Sequence, residues 1–290
     1  MPKSPPLTKR KRRWAKNRDV ILKGNTLRYN AAQQERYAKE LNRLINEMVI
    51  EVKVKTIRLF KAESTSIEAV AMDASLASQA RILMNALTDK FSQLFSSKAK
   101  ILADRMVRGA AQTSKTNLHS SLKQLSGGLS LKTGVVPLGM EEVAKASVAE
   151  NVSLIKSIPE QYFKDITGAV MRSITTGNGL ADLVSEIDKY AGQTKRRAEN
   201  LALDQTRKAY NSINKQRMQA IGVRQFEWIH SGGGQVPRES HLKISGHIFD
   251  FDKVEEQQAA LGVPERDRGI PGFPVNCRCT MLPVINFEQE

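Results

Sequence analysis

Long apolar runs are missing from this 290-residue chain, and no apolar stretch follows its basic start. Neither a membrane-spanning helix nor a secretory signal is therefore expected. Aromatic residues are scarce at 6%, which argues against a platform that stacks unpaired bases. Only two cysteines occur, Cys277 and Cys279, too close together for an ordinary structural disulfide, so folding in a reducing cytoplasm is expected. A Walker loop, a dinucleotide glycine fingerprint and a nucleophile elbow are all absent. Gly232-Gly233-Gly234 lacks the following Lys-Ser/Thr that a phosphate cradle needs, and no helix carries the His-Glu-x-x-His spacing of a zincin.

What the chain has in excess is positive charge, a net +15. Charge on this scale calls for an acidic partner. Between Met1 and Lys23 stand nine basic side chains against Asp19 alone, a net +8. With Pro2, Pro5 and Pro6 among them, residues 1–24 read as a disordered basic arm. Lys9, Arg10, Lys11, Arg12, Arg13, Lys16 and Arg18 are its candidate DNA contacts, gripping phosphates without reading sequence.

Apolar residues recur at helical spacing through Tyr37, Leu41, Leu44, Ile45, Met48 and Val52. The pattern returns from Ile82 through Leu87, Phe91 and Phe95 to Met106, with a break expected near Gly109 and a continuation at Leu118, Leu122 and Leu125. Residues 25–126 are thus an extended helical region, 127–140 a Gly- and Pro-containing linker, and 141–290 a further domain. In that domain one helix should end before Pro159, with Pro159 opening the next. A short helix should follow Gly177-Asn178-Gly179, and Thr194 should cap a last one closed by Gly222. Beyond Gly222 the period drops to two. Strands are expected around Phe226–His230, Ile248–Phe251 and Cys277–Val284. The fold class is α+β and mostly helical: long N-terminal helices, then a helical domain with a small β-sheet.

Two polar sets can carry chemistry. Cys277 and Cys279 lie two apart on an extended segment and so face one way. With His241 and His247 they can complete a tetrahedral Cys2His2 zinc site; the plainer alternative is a buried cysteine beside a histidine bonded within its own loop. Glu239 could serve as a base in a metal-dependent hydrolase or nuclease, but structural use of the cluster is the better reading. Asp204, Arg207 and Asn211 share one helix face. They read either as a solvated face or as a network reaching the Arg238–His241 loop, with Arg278 a partner for Asp204 or for a phosphate. Lys195, Arg196, Arg197, Lys208, Lys215 and Arg217 make the same helix basic and add to the DNA reading.

The ordered set Asp204–Asn211, Gly222, Phe226, Trp228, Arg238, His241, Gly246, Pro271, Pro274, Asn276, Cys277, Arg278, Cys279 and Pro283 resembles the bacteriophage head-morphogenesis family, the Mu F-like minor head proteins. The similarity covers residues 143–287. It implies a virion protein of a tailed phage, inside the head near the portal vertex and assembled in the host cytoplasm. Expected partners are the portal protein, a major capsid or scaffold protein and double-stranded DNA, with no membrane. The resemblance implies roles in head assembly and genome packaging or delivery; with no catalytic motif present, no enzymatic activity is expected, and no cofactor apart from the structural zinc that the cysteines and histidines can hold. It also supports the network of Asp204, Arg207, Asn211, Arg238, His241 and Arg278. Gly234-Gln235-Val236-Pro237-Arg238-Glu239 departs from the acidic turn that many relatives place before the histidine. The chain stops at Glu290, so no C-terminal toxin domain is expected.

Overall fold

The computed structural model describes residues 20–65, 75–125, 139–176, 179–232 and 236–287. It is mostly helical with a small antiparallel sheet, as the alternation of periods predicts. Strand β1 (Val20–Lys23) precedes four long helices, α1 (Ala31–Thr65), α2 (Leu76–Leu125), α3 (Met140–Thr176) and α4 (Gly179–Ala220). Then come β2 (Gln225–Ile229), α5 (Glu239–Lys243), β3 (Ile248–Asp250), α6 (Val254–Ala260), a 3-10 turn (Glu265–Asp267) and β4 (Thr280–Phe287). The chain divides into two compact units that are not sequential. One comprises Met1–Gln34, Arg105–Ser147 and Leu203–Glu290, the other Glu35–Asp104 and Val148–Ala202. This differs from the sequential division expected above, because each long helix supplies a segment to both units. Residues 1–19 of the basic arm and 127–138 of the linker lie outside the described residues.

The helical unit is organised by its apolar stripes. Tyr37, Leu41, Ile45, Met48 and Val52 are all buried along α1, and Met84, Leu87, Phe91 and Phe95 along α2. Ile82, expected on that stripe, is exposed. Phe91 stacks on Phe163 of α3 at 6.2 Å, and Tyr162 meets Phe163 edge-on at 5.5 Å. Helices α1 and α4 run antiparallel here, since Asn42 reaches Glu199 while Lys53 reaches Asp188.

Three expected helix breaks do not occur. Pro159 sits inside α3 and does not open a new helix. An interior proline costs about 3 kcal/mol, but Ile155, Ile158, Tyr162, Phe163 and Ile166 are buried on both sides of it. At about 1.5–3 kcal/mol each, they outweigh the lost hydrogen bond. Thr194 is not a cap; its hydroxyl turns back to donate to the Tyr190 carbonyl at 2.8 Å, and α4 runs through. Helix α2 also passes unbroken through Gly109, where a Cβ would lie 2.1 Å from the Gln33 side-chain nitrogen. Gly109 makes room for Gln33, which donates to the Met106 carbonyl at 2.5 Å.

In the other unit the strand order is β1-β4-β2-β3, all antiparallel. Strand β2 pairs with β4 from Gln225↔Val284 to Ile229↔Thr280 and buries Phe226 and Trp228. The arm expected to extend through residue 24 is corrected at its inner end. Residues 20–23 pair with β4, from Val20↔Phe287 to Lys23↔Val284. Short apolar Val20-Ile21-Leu22 satisfies its backbone on an existing strand, which outweighs the basic context. Pro283 ends that ladder: its carbonyl accepts from Gly24 N–H at 2.9 Å, but its own nitrogen has no hydrogen to return. Gly24 is required there, because a Cβ would meet Ser121 Oγ at 2.3 Å and Pro283 Cγ at 2.7 Å.

Candidate metal centre

The centre lies within the sheet-containing unit. Short helix α5 carries His241, and the segment leading into β4 carries the two cysteines. All three are nearly inaccessible, at 2% exposure for His241, 3% for Cys277 and 4% for Cys279. The imidazole Nδ1 stands 3.7 Å from each sulfur. Its other nitrogen, Nε2, lies 2.9 Å from the Asp267 carbonyl oxygen. A carbonyl can only accept, so Nε2 carries the hydrogen and Nδ1 presents its lone pair to the sulfurs. Trp228 closes one side, its ring edge-on to the imidazole at 4.9 Å. Gly272 N–H points to Cys277 Sγ at 3.4 Å.

These contacts redistribute protons. The Cys279 hydrogen bond pulls the Cys277 thiol well below its ordinary range, against the penalty of burial and with help from His241 and Gly272 N–H. The same bond, together with burial, pushes Cys279 up. Burial disfavours the charged His241 ring, but its bonds to Cys277 and the Asp267 carbonyl more than compensate, and its pKa rises. The two thiols therefore titrate as a pair.

Around this trio the α4 face clamps the loop that precedes β4. Asp204 accepts from Asn276 N–H at 3.1 Å and pairs with Lys208 at 3.2 Å. Arg207 donates to the Cys277 carbonyl at 3.4 Å and to the Tyr29 hydroxyl, with its guanidinium 4.4 Å from the centre of the Tyr29 ring. Asn211 donates to the Pro271 carbonyl at 2.8 Å. Gly272 allows this approach: its φ is +85°, and a Cβ would sit 2.9 Å from Asn211 Nδ2. From the far side Arg238 pairs with Asp267 at 3.1 Å and donates to the Val275 carbonyl at 2.7 Å.

Residues 164–282 match the family described as Phage Mu protein F like protein. This part of the chain belongs to that family. The Mu F-like stretch thus contains α4, β2, α5 and both cysteines. An uncharacterized protein of Haemophilus influenzae is 30% identical over 213 residues, covering 73% of this chain. The chain spans less than half of that relative, 45% of its length. No solved structure matches.

The Mu F-like geometry sorts the residues anticipated from sequence. Asp204, Arg207 and Asn211 do share one face, but they reach the Pro271–Cys277 loop, and Arg238 and His241 meet that loop from elsewhere. Arg278, between the two inward cysteines, is exposed. His247 does not join the sulfurs; it is exposed, and its ring stacks against Phe249 at 6.4 Å. The α4 basic residues are not one solvated stripe either. Arg207 and Arg217 are buried, Lys208 pairs with Asp204, and Lys215 donates to the Phe251 carbonyl at 3.4 Å. Lys9, Arg10, Lys11, Arg12, Arg13, Lys16 and Arg18 all lie outside the described residues. Sequence reasoning passed over Tyr29, Asp267 and Gln258. Gln258 exchanges two hydrogen bonds with the Gly269 backbone, at 2.8 and 3.1 Å. Nothing in their local sequence marks them, since each acts on a residue distant along the chain or on a loop backbone.

Proposed function

We propose that this chain is a minor head protein of a tailed bacteriophage, acting at the portal vertex in head assembly and genome packaging or delivery. The observation that carries the reading is the Mu F-like match over residues 164–282. Charge supports contact with double-stranded DNA: residues 1–19 hold a net +7 of the chain's +15, while much of the α4 charge is spent inside the fold. The late cluster supports a structural role over the alternative, a metal-dependent hydrolase or nuclease. Its ligands are sealed from solvent, and the neighbouring open cleft of about 880 Å³ is lined by Arg238, Glu239 and Lys243 but by neither cysteine nor His241. Among the described residues no helix is long and apolar enough to cross a membrane.

Quantitative mass spectrometry of purified heads tests the assignment. A few copies per particle are expected; absence from both virions and assembling heads overturns it. For the DNA contact, an arm engaging about eight phosphates should give a log–log salt slope near −7. A flat salt response removes DNA as the partner and favours an acidic scaffold. Cleavage of DNA in divalent ions that is lost in His241→Ala would establish the hydrolase instead.

A further inference from the structure

We infer that His241, Cys277 and Cys279 bind one zinc-class ion, and that His247 takes no part. The three donor atoms lie within 4.8 Å of one another. A tetrahedral ion with Zn–S of about 2.3 Å and Zn–N of about 2.0–2.1 Å requires an N···S spacing of about 3.6 Å. The observed spacing is 3.7 Å to both sulfurs.

A metal-free hydrogen-bonded trio accounts for this less well. Whether it accepts or donates, Nδ1 can direct only one well-aligned hydrogen bond, yet two sulfurs stand equally close to it. An ion at the centre serves both. The surroundings also follow the pattern of a metal's outer shell. Nε2–H donates to the Asp267 carbonyl, which fixes the ring and leaves Nδ1 as ligand. Asp267 is itself held by Arg238 at 3.1 Å and by the Ser240 hydroxyl at 2.9 Å. Gly272 N–H supports the Cys277 sulfur.

Soft sulfur with imidazole selects zinc over magnesium or calcium. Cys277-Arg278-Cys279 is an extended tripeptide whose two outer side chains turn inward and whose middle one turns out, so a close Cys-x-Cys bite is available. The ion would fasten α5 to the start of β4, two segments joined by a loop-rich stretch. Among the described residues these three supply the protein donors, which leaves one position of a tetrahedral ion to be filled. This site stands or falls independently of the phage-head reading.

The test uses the full chain, purified under reducing conditions from zinc-supplied cells. Elemental analysis should find about one zinc per chain, and X-ray absorption should find two sulfur neighbours at about 2.3 Å. Cobalt exchanged into the protein should give a thiolate charge-transfer band. His247→Ala should keep the full metal content and the same band. Cys279→Ser and His241→Ala should lose metal to a chelator by more than the roughly 10–100-fold typical of outer-shell changes. Should those two variants not fold, the wild-type and His247→Ala spectra still decide. Folded, reduced wild-type protein with less than about a tenth of an ion per chain and no cobalt–thiolate band overturns the site. So does loss of the ion in a folded His247→Ala.

Discussion

The two compact units solve the same problem with different chemistry. In the helical unit, Tyr37, Leu41, Ile45, Met48, Phe91, Phe95, Tyr162 and Phe163 form an apolar interior, and polar contacts such as Lys53–Asp188 lie at its margin. Non-directional burial tolerates a proline inside α3 because the sum of contacts outweighs one lost bond. In the sheet-containing unit the segment from Gly269 to Cys277 forms no helix or strand, and turns such as Phe273 N–H to the Ile270 carbonyl satisfy only part of its backbone. Its Gly269 and Asn276 N–H groups and its Pro271, Val275 and Cys277 carbonyls are met one by one by Gln258, Asp204, Asn211, Arg238 and Arg207. Directional polar contacts specify a loop path that hydrophobicity alone would leave undefined. One region is robust to local grammar and the other depends on individual donors.

The sharpest way to break that comparison is to empty the helical interior. Phe163→Ala removes a buried ring stacked on Phe91 and should cost about 3–5 kcal/mol in denaturant unfolding. A cost under about 1 kcal/mol would mean this interior is not the source of the unit's stability.

Gly272→Ala comes next, at about 2–3 kcal/mol. It combines a positive φ with a contact at 2.9 Å to Asn211, and the affected backbone should show hydrogen exchange around residues 271–277. Asn211→Ala should cost about 1–3 kcal/mol, because the Pro271 carbonyl loses its side-chain donor within a buried contact. Equal stability of Asn211→Ala and wild type would show that the clamp is not held bond by bond.

The smallest effect belongs to the surface of the helical unit. Hydrogen bonds from Lys55 and Lys90 hold the Glu51 carboxyl below its ordinary range. A lowered folded-state pKa contributes stability above the unfolded value, near 4.3, and that contribution disappears as pH falls through the folded value. Glu51→Gln should therefore cost under about 1 kcal/mol at neutral pH and nothing in strong acid. A difference that grows on acidification would reverse the assignment.

Legibility followed the same division. The stripes of α1 and α2 and the period-two strands could be read because local spacing reports which face is buried. Signals of termination were over-read at Gly109, Pro159 and Thr194, where tertiary packing carried helices through residues that stop them in isolation. Strand β1 was missed, since its partner β4 lies some 260 residues away along the chain. For the cluster, residue types were informative: soft ligands two apart and a nearby histidine. The choice of His241 over His247 was not legible, because either could be aimed at the sulfurs until α5 and its Asp267 contact were in place.

By itself, then, the sequence determined the helical class, the small sheet, the charge concentrated in the first 23 residues and the pair of sulfurs in the late cluster. These follow from composition and from spacings shorter than one helix. Tertiary structure alone decided that α3 and α4 run unbroken, that residues 20–23 close the sheet, and that Tyr29, Asp267 and Asn211 hold the late loop. The reason is range: each of those choices compares a local preference of a few kcal/mol with contacts from distant chain, and only the folded molecule brings both together.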